Sequence, residues 1–488
     1  MPHRRLLFAT LLLAVLLLAA PAVRADAARA DAGPDLRTQA GLTGYLLTWM
    51  LPLGVALLAV GVSQPSRAFH VATSLPLALA VACAGYALCG FAIQFGGLGV
   101  VSADPAFADW VAEWSPLDLV LGDGWGLLGL RGFALSDSVM SPAAWNLFLA
   151  QLPLVTTAAL LPLVTLAERI PRLPALGLAL LVAALLYPLM GNWVRGGGWL
   201  SQLGHTMRLG QGYRDDGLAS LHLVGAGAAW AALVGLRRTS LRRPRISEPE
   251  LPRAYLPLSL MAGALVATLG WVSALLTPSV GPALDPLVVL PRLLAALAGG
   301  VLGGSFYGWL VRGKPDTALT GRAMLASLVV VSACIASLPV WLAALSGAMV
   351  GLLLAPVMYL VERWGRLDDL AATISVHGCS AIVGLLMAAA LGGGLQQLYA
   401  QLIGVGALLV VSALLPWALL ALVAHAFTLP AAVGQAARER AAERAQVRQL
   451  RVRARLQGAA PTLWQRLNRA YRRRAAAAKR RLMARPNG

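Results

Sequence analysis

Hydrophobic and polar positions along this chain separate on one scale. Apolar runs of about 20 residues, the length that crosses a bilayer core as a helix, alternate with short polar breaks. Eleven runs follow residue 40, with cores at 43–63, 72–95, 146–166, 174–193, 218–236, 255–276, 288–311, 322–338, 340–361, 372–392 and 401–425. Only Leu338-Pro339 divides the eighth from the ninth. Ahead of them, Arg4 and Arg5 precede an apolar stretch of about 15 residues that Pro21 ends. Val23-Arg24-Ala25 then offers a cleavage site. Residues 1–25 therefore read as a signal peptide. The pattern predicts an all-α polytopic membrane protein with eleven transmembrane helices.

Composition supports the pattern. Of 488 residues, 58% are hydrophobic and 12% charged, and mean hydropathy is +0.71. So little charge could not cover a soluble globule of this size, and so apolar a chain is not disordered. The net charge of +19 invites a nucleic-acid reading until the charge is located. Sixteen basic residues against Glu439 and Glu443 fall in 426–488, so most of the excess belongs to the tail and no nucleic acid is expected.

Charge also orients the runs. Arg67, Glu168-Arg169, the arginines of 237–253, Arg312 with Lys314 and Arg322, and Arg363 with Arg366 fall in alternate breaks. Segment 97–145 has Arg131 against Asp104, Asp109, Glu113, Asp118, Asp123 and Asp137. Segment 194–217 departs from the rule with Arg195, Arg208 and Arg214. Basic loops face the cytoplasm, which gives N-out/C-in. Three regions are expected: the signal peptide 1–25, a membrane domain 42–425 and a basic cytoplasmic tail 426–488. The tail reads as helical at 431–456 and 460–485 and suited to anionic lipid, with an acidic partner as the alternative. A multi-pass protein of the cell membrane results. Cys83, Cys89, Cys334 and Cys379 sit singly in apolar runs, which predicts no disulfide and no metal site.

Two segments echo each other. The fifth run opens with Asp215-Asp216 and reaches His222; the tenth opens with Asp368-Asp369 and reaches His377. Small residues follow each histidine. A repeat five spans apart is inverted in the membrane, and such repeats gather function near the midplane. The expected architecture is an inverted 5+5 repeat plus one extra helix. Ionisable residues within spans are functional candidates. Imidazole donates or accepts a hydrogen bond and titrates near neutrality. Paired rings in an apolar passage suit ammonia or a proton relay. They suit a metal poorly, because no carboxylate or thiolate stands at ligand spacing. No nucleotide-binding loop or nucleophile motif points to an enzyme, and no cofactor is implied. Ser220 and Ser375 flank the histidines as ordinary back-bonded helix serines.

These blocks, in order, resemble the ammonium transporter superfamily of Amt, Mep and Rh proteins over roughly 42–425. They are Gly90-Phe91-Ala92-Ile93-Gln94-Phe95-Gly96, Gln151, Ala167-Glu168-Arg169-Ile170, Gly196-Gly197-Gly198, the stretch to His222, Gly270-Trp271, Trp309 to Pro315, and the stretch to His377. The resemblance implies a homotrimer with one pore per subunit and His222 and His377 as twin pore histidines. It also implies recruitment of ammonium at an outer vestibule.

That vestibule departs from the family pattern. Arg195 stands where an aromatic ring usually helps hold the cation; Trp193 is the nearest aromatic. The two gate positions fall on Leu154 and Ala274, and a binding serine maps to Pro278. The acid before His222, Asp215 or Asp216, sits late by one or two positions. Three outcomes stay open: ammonium transport with a rebuilt vestibule, passage of a neutral solute, or a non-conducting sensor or scaffold.

Overall fold

The computed structural model describes residues 43–136, 140–166, 172–237, 251–277, 284–392 and 394–421. The expected signal peptide, Glu168 and Arg169, Pro278 and the basic tail lie outside those residues. The chain divides into two compact units, Met1–Leu420 and Ala421–Gly488. The fold below is that of the first.

The main helices in chain order are α1 (Thr43–Val62), α2 (Pro65–Val100), α3 (Pro142–Leu166), α4 (Arg172–Arg195), α5 (Ala219–Gly235), α6 (Tyr255–Leu276), α7 (Pro286–Arg312), α8 (Thr317–Ser332), α9 (Val340–Arg363), α10 (Ile374–Gly392) and α11 (Leu395–Ala421). All but α5 and α8 are long and apolar enough to cross a membrane, nine among the described residues. Local chemistry sets several boundaries. Asp285 accepts the amide of Leu287 at 2.8 Å and Pro286 opens α7. Gly313 ends that helix at φ 71°, a left-handed cap that glycine adopts without strain. Asp316 accepts the amides of Ala318 and Leu319 to begin α8.

Three runs shift from their sequence-based bounds. α2 begins at Pro65, before the expected 72, because a proline at the first helical position tolerates the polar turn that follows. α8 stops at Ser332 although the apolar run continues to 338. The non-helical turn after it is buried but partnered: Arg292 donates to the carbonyls of Ile335 and Ala336, and Asp216 accepts the amide of Ala336. α11 starts at Leu395 rather than 401. Its first turns carry Gln397 and Gln401, both buried, which lowered the apparent hydropathy. They donate to the carbonyls of Gly212, Arg214 and Leu385. The all-α expectation also misses a small antiparallel pair between α2 and α3, β1 (Glu113–Trp114) with β2 (Leu128–Gly129), register Glu113 to Gly129. Gly129 lies against the end of α2, where a Cβ would collide with the Ala92 carbonyl.

The helices close on glycine seams. Gly54 and Gly61 of α1 meet the backbone of Ala267 and Leu260, while Gly263 and Gly270 of α6 meet that of Leu58 and Leu51. Gly299 and Gly303 of α7 lie on the carbonyls of Ala344 and Ala348, and Gly347 and Gly351 of α9 on those of Ala296 and Gly300. Small residues at such spacing let helix backbones touch, and packing contact then stands in for the hydrophobic drive that lipid removes. The same neighbours recur in both halves. α1 packs on α3 as α6 does on α8, α2 on α4 as α7 on α9, and α3 on α5 as α8 on α10. α1 also meets α6, and α5 meets α10.

Candidate functional site

One carboxylate from each Asp pair caps its helix. Asp215 accepts the amides of Gly217 at 3.1 Å and Ser220 at 2.7 Å, ahead of α5. Asp369, 2% exposed, accepts those of Thr373 at 3.0 Å and Ile374 at 2.7 Å, ahead of α10. Each satisfies amides that a helix start leaves without intrahelical partners. The other members do different work. Asp216 holds Arg214 at 2.8 and 3.0 Å as well as the Ala336 amide, and Asp368 is exposed.

Beyond these caps the histidines meet. The rings of His222 and His377 stack with centroids 4.8 Å apart and planes 13° from parallel. Trp271 of α6 covers the other face of His222 at 4.4 Å and 6°. His222 is fully buried and His377 is 5% exposed. Among the described residues neither nitrogen of His222, nor Nδ1 of His377, has a hydrogen-bond partner. Each imidazole therefore keeps donor and acceptor capacity for a solute.

A cavity of about 40 Å³ lies at the start of α5, with Gln151, Leu154, Tyr187, Arg195, Asp215 and Leu221 in its wall. Leu221 of the wall directly precedes His222 on α5, while the three stacked rings stand outside the wall. Gln151 is fixed from behind. Its Oε1 accepts from the Tyr187 hydroxyl at 2.7 Å and from Nε2 of Gln94 at 3.3 Å, and Tyr86 donates to Gln94 at 2.9 Å. All four are buried, and such a network locks its members' rotamers. Sequence reasoning did not single out Tyr86 or Tyr187. Their hydroxyls inside otherwise apolar runs were the available signal. A larger apolar cavity of about 300 Å³ lies farther along α5, among Leu223, Ala226, Trp230, Cys379, Ile382 and Leu409.

Of the remaining expected vestibule residues, Arg195 stays in the wall, and Trp193 and Ala274 do not. Arg195, at the end of α4, donates to the carbonyls of Asp215, at 3.1 Å, and Gly217. Trp193 is turned away. Its indole donates to the Leu127 carbonyl at 2.8 Å and meets Trp199 edge-on, and it takes no part in the cavity wall. Ala274 lies half-buried on α6 beyond Trp271 and also outside that wall.

A model of the Ammonium Transporter Family matches residues 41–439. Ammonium transporter Amt2 of Archaeoglobus fulgidus is 28% identical over 365 residues, covering 74% of this chain and 72% of its own. Among solved structures, one titled Sensor Amt Protein superposes with TM-score 0.64 at 20% identity, over 79% of this chain and 92% of that one. Candida albicans Mep2 does so with TM-score 0.62 at 18% identity, over 78% and 82%.

Proposed function

The chain belongs to the Ammonium Transporter Family, and on that premise we propose that it carries ammonium or ammonia across a membrane past the stacked rings of His222 and His377. The ring stack carries the proposal. Two Asp-capped helices from different halves of the sequence bring two imidazoles face to face, with three of their four nitrogens unpartnered, and Leu221 beside His222 stands in the wall of a cavity that also holds Gln151 and Leu154. In this reading the solute enters at the cavity, passes Leu154, exchanges hydrogen bonds with the two rings and leaves through the apolar inner half. The shortage of polar groups there favours a small neutral species at that stage.

The proposal includes eleven spans with the N-terminus outside and the C-terminus in the cytoplasm. Matching neighbours in the two halves support an inverted repeat with α11 as the additional helix. It also includes a homotrimer in the cell membrane, and a basic tail resting on anionic lipid.

The test is flux. The purified protein is placed in liposomes under an ammonium gradient, and internal pH and transported charge are recorded. His222→Ala and His377→Ala should each lower the response at least about tenfold, as loss of groups needed at a desolvated step does. No response above protein-free liposomes from intact native protein would move the assignment to a sensor or scaffold.

A further inference from the structure

We infer that Arg195 decides the charge state in which the solute enters, so that the outer cavity admits neutral ammonia and turns away ammonium. This rests on the transport reading above.

Two charged side chains stand in the cavity wall, Arg195 and Asp215. Their charges are spent differently. Both carboxylate oxygens of Asp215 accept main-chain amides at the start of α5, at 3.1 and 2.7 Å. Its negative charge thereby faces the positive end of a helix. The acceptors of the Arg195 guanidinium are the main-chain carbonyls of Asp215 and Gly217, which are dipoles without net charge. The same bonds hold the guanidinium in place on the wall. Trp193 offers it no ring face there, and the Tyr187 ring is the aromatic in the wall. Trp193 has turned to the Leu127 carbonyl, and the Tyr187 hydroxyl is engaged by Gln151.

The space is small. A cavity of about 40 Å³ has room for only a few molecules the size of water. A cation seated there would share the space with a fixed positive charge and give up part of its hydration, with Leu154 and Leu221 for neighbours. A neutral amine of the same size meets no such repulsion and finds hydrogen-bonding groups in Gln151 and Ser220. Arg195 is thus a selectivity residue that acts through charge.

The competing role is mechanical: Arg195 ties the end of α4 to the turn before α5. Two substitutions separate the roles. Arg195→Lys keeps the charge, and Arg195→Gln keeps an amide donor for the carbonyls but removes the charge. Native protein and both variants are reconstituted in liposomes with ammonium chloride. Uptake and transported charge are followed from about pH 6 to about pH 8 at fixed total ammonium.

Native protein and Arg195→Lys should take up nitrogen without current, at a rate rising about tenfold per pH unit with the fraction of free base. Arg195→Gln should acquire a current and a flatter pH dependence. One charge carried per nitrogen by the native protein overturns the inference and leaves transport standing. Neutral uptake that is unchanged in Arg195→Gln also overturns it, leaving the mechanical role. Absence of uptake in all three defeats the transport reading itself, and the inference with it.

Discussion

The two helices that deliver the histidines reach the same end by different winding. In each, a carboxylate accepts the amide five residues on, Ser220 from Asp215 and Ile374 from Asp369. Counted from that amide, His222 is two residues along but His377 is three. α5 runs as a regular α-helix through His222, whereas α10 opens with a π-helical stretch, Ile374–Cys379, that contains His377. A π turn takes up one more residue than an α turn. The extra residue is absorbed locally, and the rings still stack at 4.8 Å. Arginine supports both capping turns: Arg195 donates to the carbonyls of Asp215 and Gly217, and Arg322 to that of Leu370 at 2.6 Å. What the two halves share is the position of a ring relative to a capped helix start, and residue spacing bends to keep it.

Single-residue deletions test this most severely. Deleting Leu221 leaves α5 no slack and should rotate His222 by about 100° off the stack, abolishing transport. Deleting Val376 should convert the π turn to an ordinary one and give α10 the spacing of α5. Ammonium uptake is then expected to stay within about threefold of native. Equal loss in both deletions, with thermal unfolding showing both proteins folded, would end the account of the π turn as accommodation.

The same residues show how much was legible in advance. The Asp pairs and histidines mark the site because they are polar groups in apolar surroundings. Which member of each pair caps was not legible, and the structure chooses the first of one and the second of the other. That choice depends on what the spare carboxylate meets. Asp216 finds Arg214 and the Ala336 amide, contacts that join sequence positions far apart. The acid before His222, late by one or two positions against the family pattern, still caps its helix as Asp215. The apolar runs were legible to within a turn or two where their ends are marked by Asp or Gly. They failed at the start of α2 and at α8 and α11, and in the last two tertiary hydrogen bonds rather than local composition fix the ends. Trp193 looked available to replace a missing aromatic, but a side chain's direction depends on neighbours such as Leu127.

Removing the caps should expose a second, smaller asymmetry. Asp369→Ala leaves two amides unmatched at a buried helix start and should destabilise by about 3 kcal/mol, as for charge-assisted bonds out of water. Asp215→Ala removes the same number of bonds at a partly exposed site, and about half that loss is expected. Thermal unfolding in one detergent ranks the two. Equal losses, or the reverse order, would show that burial does not distinguish the caps.

The least effect belongs to a feature that one half has alone. α2 and α3 are joined by a long segment containing β1 and β2, whereas Gly313–Asp316 suffices between α7 and α8. Glu113 of β1 is half-buried, with its carboxylate wedged against Gly97 and Gly126. Burial pushes its carboxyl above the usual range; the nearby Ser115 side chain opposes this, and Asp118 adds to it. A group whose folded pKa is raised binds its proton more tightly when folded. The stability it contributes is therefore complete below its unfolded pKa and is lost as pH rises through the folded value. At neutral pH Glu113 is ionised at a cost to the fold, so Glu113→Gln should melt slightly higher than native. The gap should narrow as the medium is taken toward about pH 4, where the native carboxyl is protonated too. Ammonium uptake should not change, because the residue stands outside the cavity wall. A gap that widened in acid would reverse the sign of the burial effect. An equal gap at both pH values would place its cause in packing between the two glycines rather than in charge.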